Sequence, residues 1–182
     1  MLKWALYIVV GLGGLVGLVA VIGLTLPKGH RASKVATYAA PPDVVFAAIS
    51  DVARYAEWRP DVKRVELLPD DEGRRMFREH GKDGPITFRI EASAPPSRML
   101  VRIADTSLAF GGTWTHELKP TASGGTELTT TEDGEVYNPI FRVIGKLFFS
   151  PTETIETFQG NLDKILTRRE EREGAKREKV RS

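Results

Sequence analysis

The sequence predicts an α+β fold in which a curved antiparallel sheet wraps a long C-terminal helix, with a transmembrane helix in front of it. Three observations carry this expectation. Trp4 to Leu26 holds no charged residue; between Asp61 and Val136 apolar residues recur with period two; and from about Thr152 to about Arg169 they fall on one helical stripe.

The N-terminal run, WALYIVVGLGGLVGLVAVIGLTL, has the length that crosses a hydrocarbon core of roughly 30 Å at about 1.5 Å per residue. Trp4 and Tyr7 sit at one end, where aromatic anchors are favoured, and Pro27, Lys28, His30 and Arg31 close the other. A cleaved secretory peptide is the rival reading. Its apolar region is shorter and ends in small residues, whereas LTLPKGHR has no such pattern, so an uncleaved anchor is expected. Gly13 and Gly17 form a GxxxG spacing through which two such helices could pack as a homodimer. Lys28, Arg31 and Lys34 outnumber Lys3 and the terminal amine by a narrow margin. The expectation is therefore a single-pass protein of a bacterial inner membrane, its C-terminal domain on the cytoplasmic side.

Beyond the span, SKVATYAA (Ser33 to Ala40) has the composition of a short strand. Pro42 then suits a first helical turn, Asp43 meets the positive end of the helix dipole, and Val45, Ala48 and Ile49 share a face. SDVARYAEW reads as a second short helix, capped by Ser50 or Asp51 and stopped before Pro60. Half-buried strands follow. Val65 and Leu67 alternate with charges, as do Ile86, Phe88 and Ile90, and then Met99, Val101 and Ile103. Turn-rich breaks at PDDEGR, HGKDGP, SAPPS and PTASGG set hairpin spacing. In FGGTWTHEL, Gly112, Trp114, His116 and Leu118 take one face; in GTELTTTED, Leu128, Thr130 and Glu132 do. YNPIFRVIGKLFFS is a helix with more apolar surface than one stripe needs, so it must be covered on two sides or face lipid. Ser150, Pro151 and Glu153 read as a capping box opening the last helix, with Ile155, Phe158, Leu162, Ile165 and Leu166 on one face. The charged remainder is expected to be solvated and to fray. The organisation is thus an anchor and flank over 1–31, a folded domain over 32–169 and a flexible charged tail over 170–182.

Charge and composition exclude several function classes. Residues 32–166 carry 16 Lys and Arg against 20 Asp and Glu. A mildly acidic domain lacks the cationic face that phosphate backbones require, so no nucleic-acid partner is expected. Without cysteine, thiol catalysis and Cys-ligated zinc are absent. Histidines at 30, 80 and 116 share no ligand spacing, so no metal is expected, and neither a phosphate loop nor a GxSxG elbow occurs.

Particular stretches carry a family likeness. APPDVVFAAISDVARYAEWRPDVKRVELL (Ala40 to Leu68), containing D-x-x-x-Y-x-x-W-x-P, together with GPITFRI, GGTWTHEL and GGTELTTTEDGEV, resembles the SRPBCC superfamily and, within it, the polyketide cyclase/dehydrase-like group. The likeness covers about residues 33 to 168. It implies the helix-grip, START-like fold shared with birch-pollen-allergen-like proteins, and a hydrophobic cavity between the sheet and the long helix, open to apolar ligands. The N-terminal anchor and the extra apolar helix depart from that pattern and put a freely diffusing cyclase in doubt.

Two functions follow as expectations: a membrane-anchored binder or carrier of a lipid, quinone or polyketide-like ligand, or a cyclase- or dehydratase-like enzyme on an apolar aromatic or polyketide substrate. No cofactor is expected. The expected cavity lining is Phe88, Ile90, Met99, Val101, Trp114 and His116, with Leu128, Glu132, Phe158 and Leu162. Catalysis would need a carboxylate beside an imidazole, and His116, Glu132, Glu79 and His80 are the candidates. Adjacent strand residues face opposite ways, so only one of Glu79 and His80 points inward. His116 could equally line the pocket without reacting, and Glu132 could bond to backbone N–H groups near Gly134.

Overall fold

The computed structural model describes residues 2–82, 84–148 and 150–181. Helix α1 (Leu2–Thr25) is exposed along almost its whole length; its Tyr7–Thr25 portion is long and apolar enough to cross a membrane. Strand β1 (Gly29–Tyr38) starts four residues before the expected Ser33, because its polar N-terminal end pairs with the end of β7, Gly29 opposite Glu135. Helix α2 (Pro42–Ser50) has proline in its first turn and buries Phe46 along with the expected Val45, Ala48 and Ile49. The next short helix is a 3₁₀ turn over Val52–Glu57. Asp51 stands at its start, yet neither Asp51 nor Ser50 caps it through a side chain.

Six strands then run as a meander, and all seven form one antiparallel sheet in the order β1-β7-β6-β5-β4-β3-β2. They are β2 (Arg64–Asp71), β3 (Arg74–Gly81), β4 (Gly84–Ala94), β5 (Arg98–Ile103), β6 (Phe110–Pro120) and β7 (Thr126–Val136). Residues opposite each other in an antiparallel ladder share a face. Trp114 opposite Glu132, His116 opposite Thr130 and Leu118 opposite Leu128 are therefore on the inner side, as the alternation predicts. Leu67 differs. It lies on the edge strand, beyond the cover of any helix, and is 59% exposed. At Gly112 the backbone takes φ 138° while pressed against the Asp133 carbonyl of β7; a side chain there would collide, which is why the bend carries glycine.

Asn138 accepts the Ile140 and Phe141 amides at 2.9 and 3.3 Å and so caps α3 (Pro139–Phe148). The long helix α4 (Glu153–Arg181) departs from expectation at both ends. Ser150 Oγ meets the Thr152 amide at 3.4 Å rather than an amide within the helix, so the expected capping box does not form. At the other end the helix does not fray after Arg169 but continues to Arg181, exposed from Glu170 through Lys179. Strong helix formers fill that stretch, and Glu173 stands four residues before Arg177.

Helix α4 lies across the inner face of the sheet and is fastened to β1. Tyr38 donates to the Gln159 carbonyl at 3.2 Å, Gln159 Nε2 donates to the Lys34 carbonyl at 3.2 Å, and Lys34 pairs with Glu156 at 2.7 Å. Ile49, Met99, Leu128 and Leu162 are fully enclosed where α2, the sheet and α4 meet. Replacing Leu162 by alanine leaves a void in this junction and is expected to lower unfolding stability by about 3 kcal/mol in urea titrations. Glu170→Ala on the solvated extension is expected to change it by less than about 0.5 kcal/mol.

Candidate functional site

Helix α2 fills only part of the groove between sheet and helix. The rest is a cavity of about 500 Å³ between strands β3 to β7, the 3₁₀ segment and the first turns of α4. Its walls are largely aromatic. Phe77 stacks on Phe88 with ring centres 5.3 Å apart, and Phe88 meets Trp114 at 5.9 Å. Across the groove Tyr55 is edge-on to Phe77 at 6.2 Å and to Phe158 at 6.4 Å. Exposed Asp61, Lys82, Glu153, Thr154 and Thr157 form the rim, so the mouth lies between the β3–β4 hairpin and the start of α4.

The strand register locates that mouth. Gly84 precedes Phe88, which faces Ile103; Arg102 faces Thr113; and Gly111 and Gly29 both face Glu135. The β3–β4 hairpin is thus at the same end of the sheet as the start of β1, where α1 joins the domain.

One charged cluster sits in the cavity wall. Arg59 donates through Nη1 to Glu79 Oε1 at 2.7 Å and through Nη2 to Asp61 Oδ2 at 2.6 Å. Its guanidinium also lies 5.1 Å from the Tyr55 ring centre and 5.8 Å from that of Phe158, within cation–π range. Burial pushes the Glu79 carboxyl above the usual carboxylate range even though Arg59 acts in the other direction. His116 stacks on Phe158 with centres 5.0 Å apart, and its Nδ1 shares a hydrogen bond with Thr130 Oγ1 at 3.1 Å. Burial, with a smaller contribution from Arg59, lowers its pKa to about 4, so the imidazole is neutral at neutral pH. Among the described residues, Nε2 has no hydrogen-bonding partner.

Of the residues expected to line the cavity, Phe88, Val101, Trp114, His116 and Phe158 do so. Met99, Leu128 and Leu162 do not, because α2 packs onto that part of the groove and closes it. Ile90 is likewise outside, beside Met99 in a separate depression near Arg74 and Arg75. Glu132 is also not in the cavity. Its Oε1 is 3.4 Å from His30 Nε2, whose ring covers Gly134, while its Oε2 is buried without a partner among the described residues. Glu79 is the inward member of its pair and His80 the outward one, 3.2 Å from Glu66. No hydrogen bond joins Glu79, His116 and Glu132 among the described residues. Arg59, Tyr55, Phe77, Ile86 and Thr130 line the cavity without having been expected there. Phe77 was within reach of the alternation, two residues before Glu79.

A sequence profile described as polyketide cyclase / dehydrase and lipid transport matches residues 29–172. No functionally curated protein matches the chain. Among solved structures, the Zhui aromatase/cyclase from Streptomyces sp. R1128 is similar at 16% identity and a TM-score of 0.61, over 78% of this chain and 95% of that one. A START superfamily protein from Mycobacterium smegmatis is similar at 19% identity and 0.61, over 76% and 98%. Norcoclaurine synthase from Thalictrum flavum follows at 11% and 0.61, over 81% and 91%. At these identities the likeness is one of fold.

The buried imidazole makes stability depend on pH. Between about 4 and the ordinary value of 6.5 the unfolded chain binds a proton at His116 that the folded chain does not. Its contribution is therefore complete above that window and is lost as pH falls through it. Glu79, held above its ordinary value, acts in the opposite sense, so the readout is a difference. The urea midpoint of the wild type minus that of His116→Gln is expected to fall between pH 7 and pH 4.5; a constant difference would contradict a buried neutral histidine.

Proposed function

The chain belongs to the polyketide cyclase / dehydrase and lipid transport family, and from that membership we propose that it is a membrane-anchored binder or carrier of a small hydrophobic ligand. Membership and fold support a hydrophobic-ligand-binding or cyclase-like role. The observation that carries the narrower reading is the state of the polar groups in the cavity. Arg59 already serves two carboxylates and His116 Nδ1 is held by Thr130, so among the described residues no carboxylate is hydrogen-bonded to the imidazole to orient it as a base. What the cavity offers a ligand is aromatic surface in a volume that suits a small molecule. Each ligand methylene buried there contributes about 0.8 kcal/mol without any catalytic group.

Two features favour uptake from a membrane. Helix α1 is apolar and exposed except over its last two turns, and the cavity mouth opens at the end of the sheet from which α1 departs. The enzymatic reading keeps one specific support. Glu79, with its raised pKa, and the unpartnered His116 Nε2 both border the same space. An acid and a neutral imidazole so placed could act on a carbonyl substrate from separate sides.

Detergent-purified full-length protein is expected to release an apolar small molecule on denaturation, detected by mass spectrometry, or to bind an added isoprenoid quinone or phospholipid with quenching of tryptophan fluorescence. Ile86→Trp, which fills the cavity opposite Glu79, is expected to weaken that binding at least about tenfold, or roughly 1.4 kcal/mol. Binding unchanged by this substitution would locate the ligand elsewhere. Glu79→Gln separates the two readings: a carrier keeps its ligand, whereas an enzyme keeps binding and loses turnover.

A further inference from the structure

Helix α3 has two unlike sides. On one, Arg142 is buried although it is charged. Its Nε donates to the Val136 carbonyl at 2.8 Å, Nη2 to that of Tyr137 at 2.9 Å, and Nη1 to those of Gly23 and Leu26 at 3.1 and 3.4 Å. The last two are carbonyls at the C-terminal end of α1, that of Gly23 also accepting the Leu26 amide at 3.3 Å, where a cation meets the negative end of the helix dipole. Helix α3 also lies hard against α1: a Cβ on Gly23 would collide with the Pro139 carbonyl. Among the described residues of α1 only Val19, Ala20 and Gly23 are covered to any extent, and Leu26 just beyond its end is half-buried. They form one stripe over its last two turns, and that is where α3 sits.

The other side of α3 is apolar and open. Phe141, Ile144 and Leu147 follow one another at three-residue spacing and are exposed, Leu147 at 69%. Phe110 and Tyr137 are exposed beside them, at the ends of β6 and β7. Outside α1, the exposed large apolar residues described are these five together with Val35 and Leu67. Five of seven therefore crowd one end of the molecule, around the point where α1 meets the domain.

We propose that Phe110, Tyr137, Phe141, Ile144 and Leu147 form an apolar collar that seats in the lipid surface around α1. The proposal rests on reading α1 as a membrane span. Given that reading, the level of the collar follows from the geometry. The chain is uncharged from Trp4 through Leu26, so the last two turns of α1 reach the boundary between acyl chains and headgroups, and α3 packed against those turns lies at that boundary. Lys28 and Lys146, exposed at the same level and without ion-pair partners among the described residues, suit lipid phosphates. A collar so seated also brings the cavity mouth, at this same end of the sheet, down to the bilayer surface.

The chain has no cysteine, so single cysteines can carry an environment-sensitive fluorophore in the full-length protein. Ile144→Cys reports on the collar, Val16→Cys on the span, and Ser123→Cys on the turn at the far end of β7. The labelled proteins are reconstituted into phosphatidylcholine and phosphatidylglycerol vesicles containing lipids with a nitroxide either near the headgroup or deep in the acyl chain. The label at 144 is expected to be blue-shifted and quenched chiefly by the shallow nitroxide, that at 16 chiefly by the deep one, and that at 123 by neither. If 144 behaves like 123 while 16 is quenched, the collar is wrong and the span stands. If 16 is unquenched as well, the span reading fails and takes the collar with it. A label at 144 that is blue-shifted but quenched by neither lipid would mean that protein, such as a second copy of the chain, covers the patch, and would also overturn the proposal.

Discussion

An antiparallel sheet with one apolar face must be covered on that face, and here a single long helix does most of the covering. Helix α4 crosses a seven-stranded sheet but has one apolar stripe, from Ile155 to Leu166, to set against it. Helix α2 supplies Val45, Phe46 and Ile49 and closes the groove over Met99, Leu128 and Leu162. Nothing of the kind fills the other part. The void is a property of how few helices share the work, and its aromatic walls follow from the need to span it with large side chains anchored on opposite sides.

A void of this type is hospitable to charge only if the charge is already answered. Arg59, Glu79 and Asp61 form such a set: one guanidinium between two carboxylates, with two aromatic rings under the cation. Removing one member of a buried pair leaves the other unsatisfied, which costs more than the pair itself contributes. The cluster joins the residues that follow the 3₁₀ segment to β3 in the cavity wall and reaches Asp61 at the rim. An anionic ligand would meet a guanidinium whose charge is spent, whereas a neutral one meets rings.

The sheet was legible because alternation is a local property. The inward set of β6 and β7, from Trp114 and His116 to Leu128 and Thr130, could be read from period two and is what the register shows. Half of the site was legible for the same reason: inward residues at the right height on the strands line the cavity. The rest depends on distant packing. Whether Met99 or Leu162 touches a cavity or a neighbouring side chain is decided by where α2 comes to rest. Arg59 follows a helix and precedes a proline, a place where a charge is ordinarily solvated, and only Glu79, twenty residues on, makes its burial tolerable. Glu132 could be assigned its face but not its neighbour, since His30 reaches it through a strand extension that the sequence around Gly29 does not advertise. The solvated extension of α4 was hidden because a highly charged run reads equally well as coil or helix.

The four carbonyls gathered by Arg142 bear on mechanics as well as on packing. Only Leu26 to Lys28 separate α1 from β1, and Lys28 is itself held by the Val136 amide at 2.8 Å. A domain on a loose tether wanders through a volume set by the length of its linker. Here the linker is three residues long, and hydrogen bonds from Arg142 and from the Val136 amide tie the end of α1 and the linker to α3 and the end of the sheet. With α1 read as a membrane span, the tilt of α1 would then govern the height and heading of the cavity mouth. On the same reading, an encounter with anything dissolved in the bilayer would be a search over two dimensions rather than three.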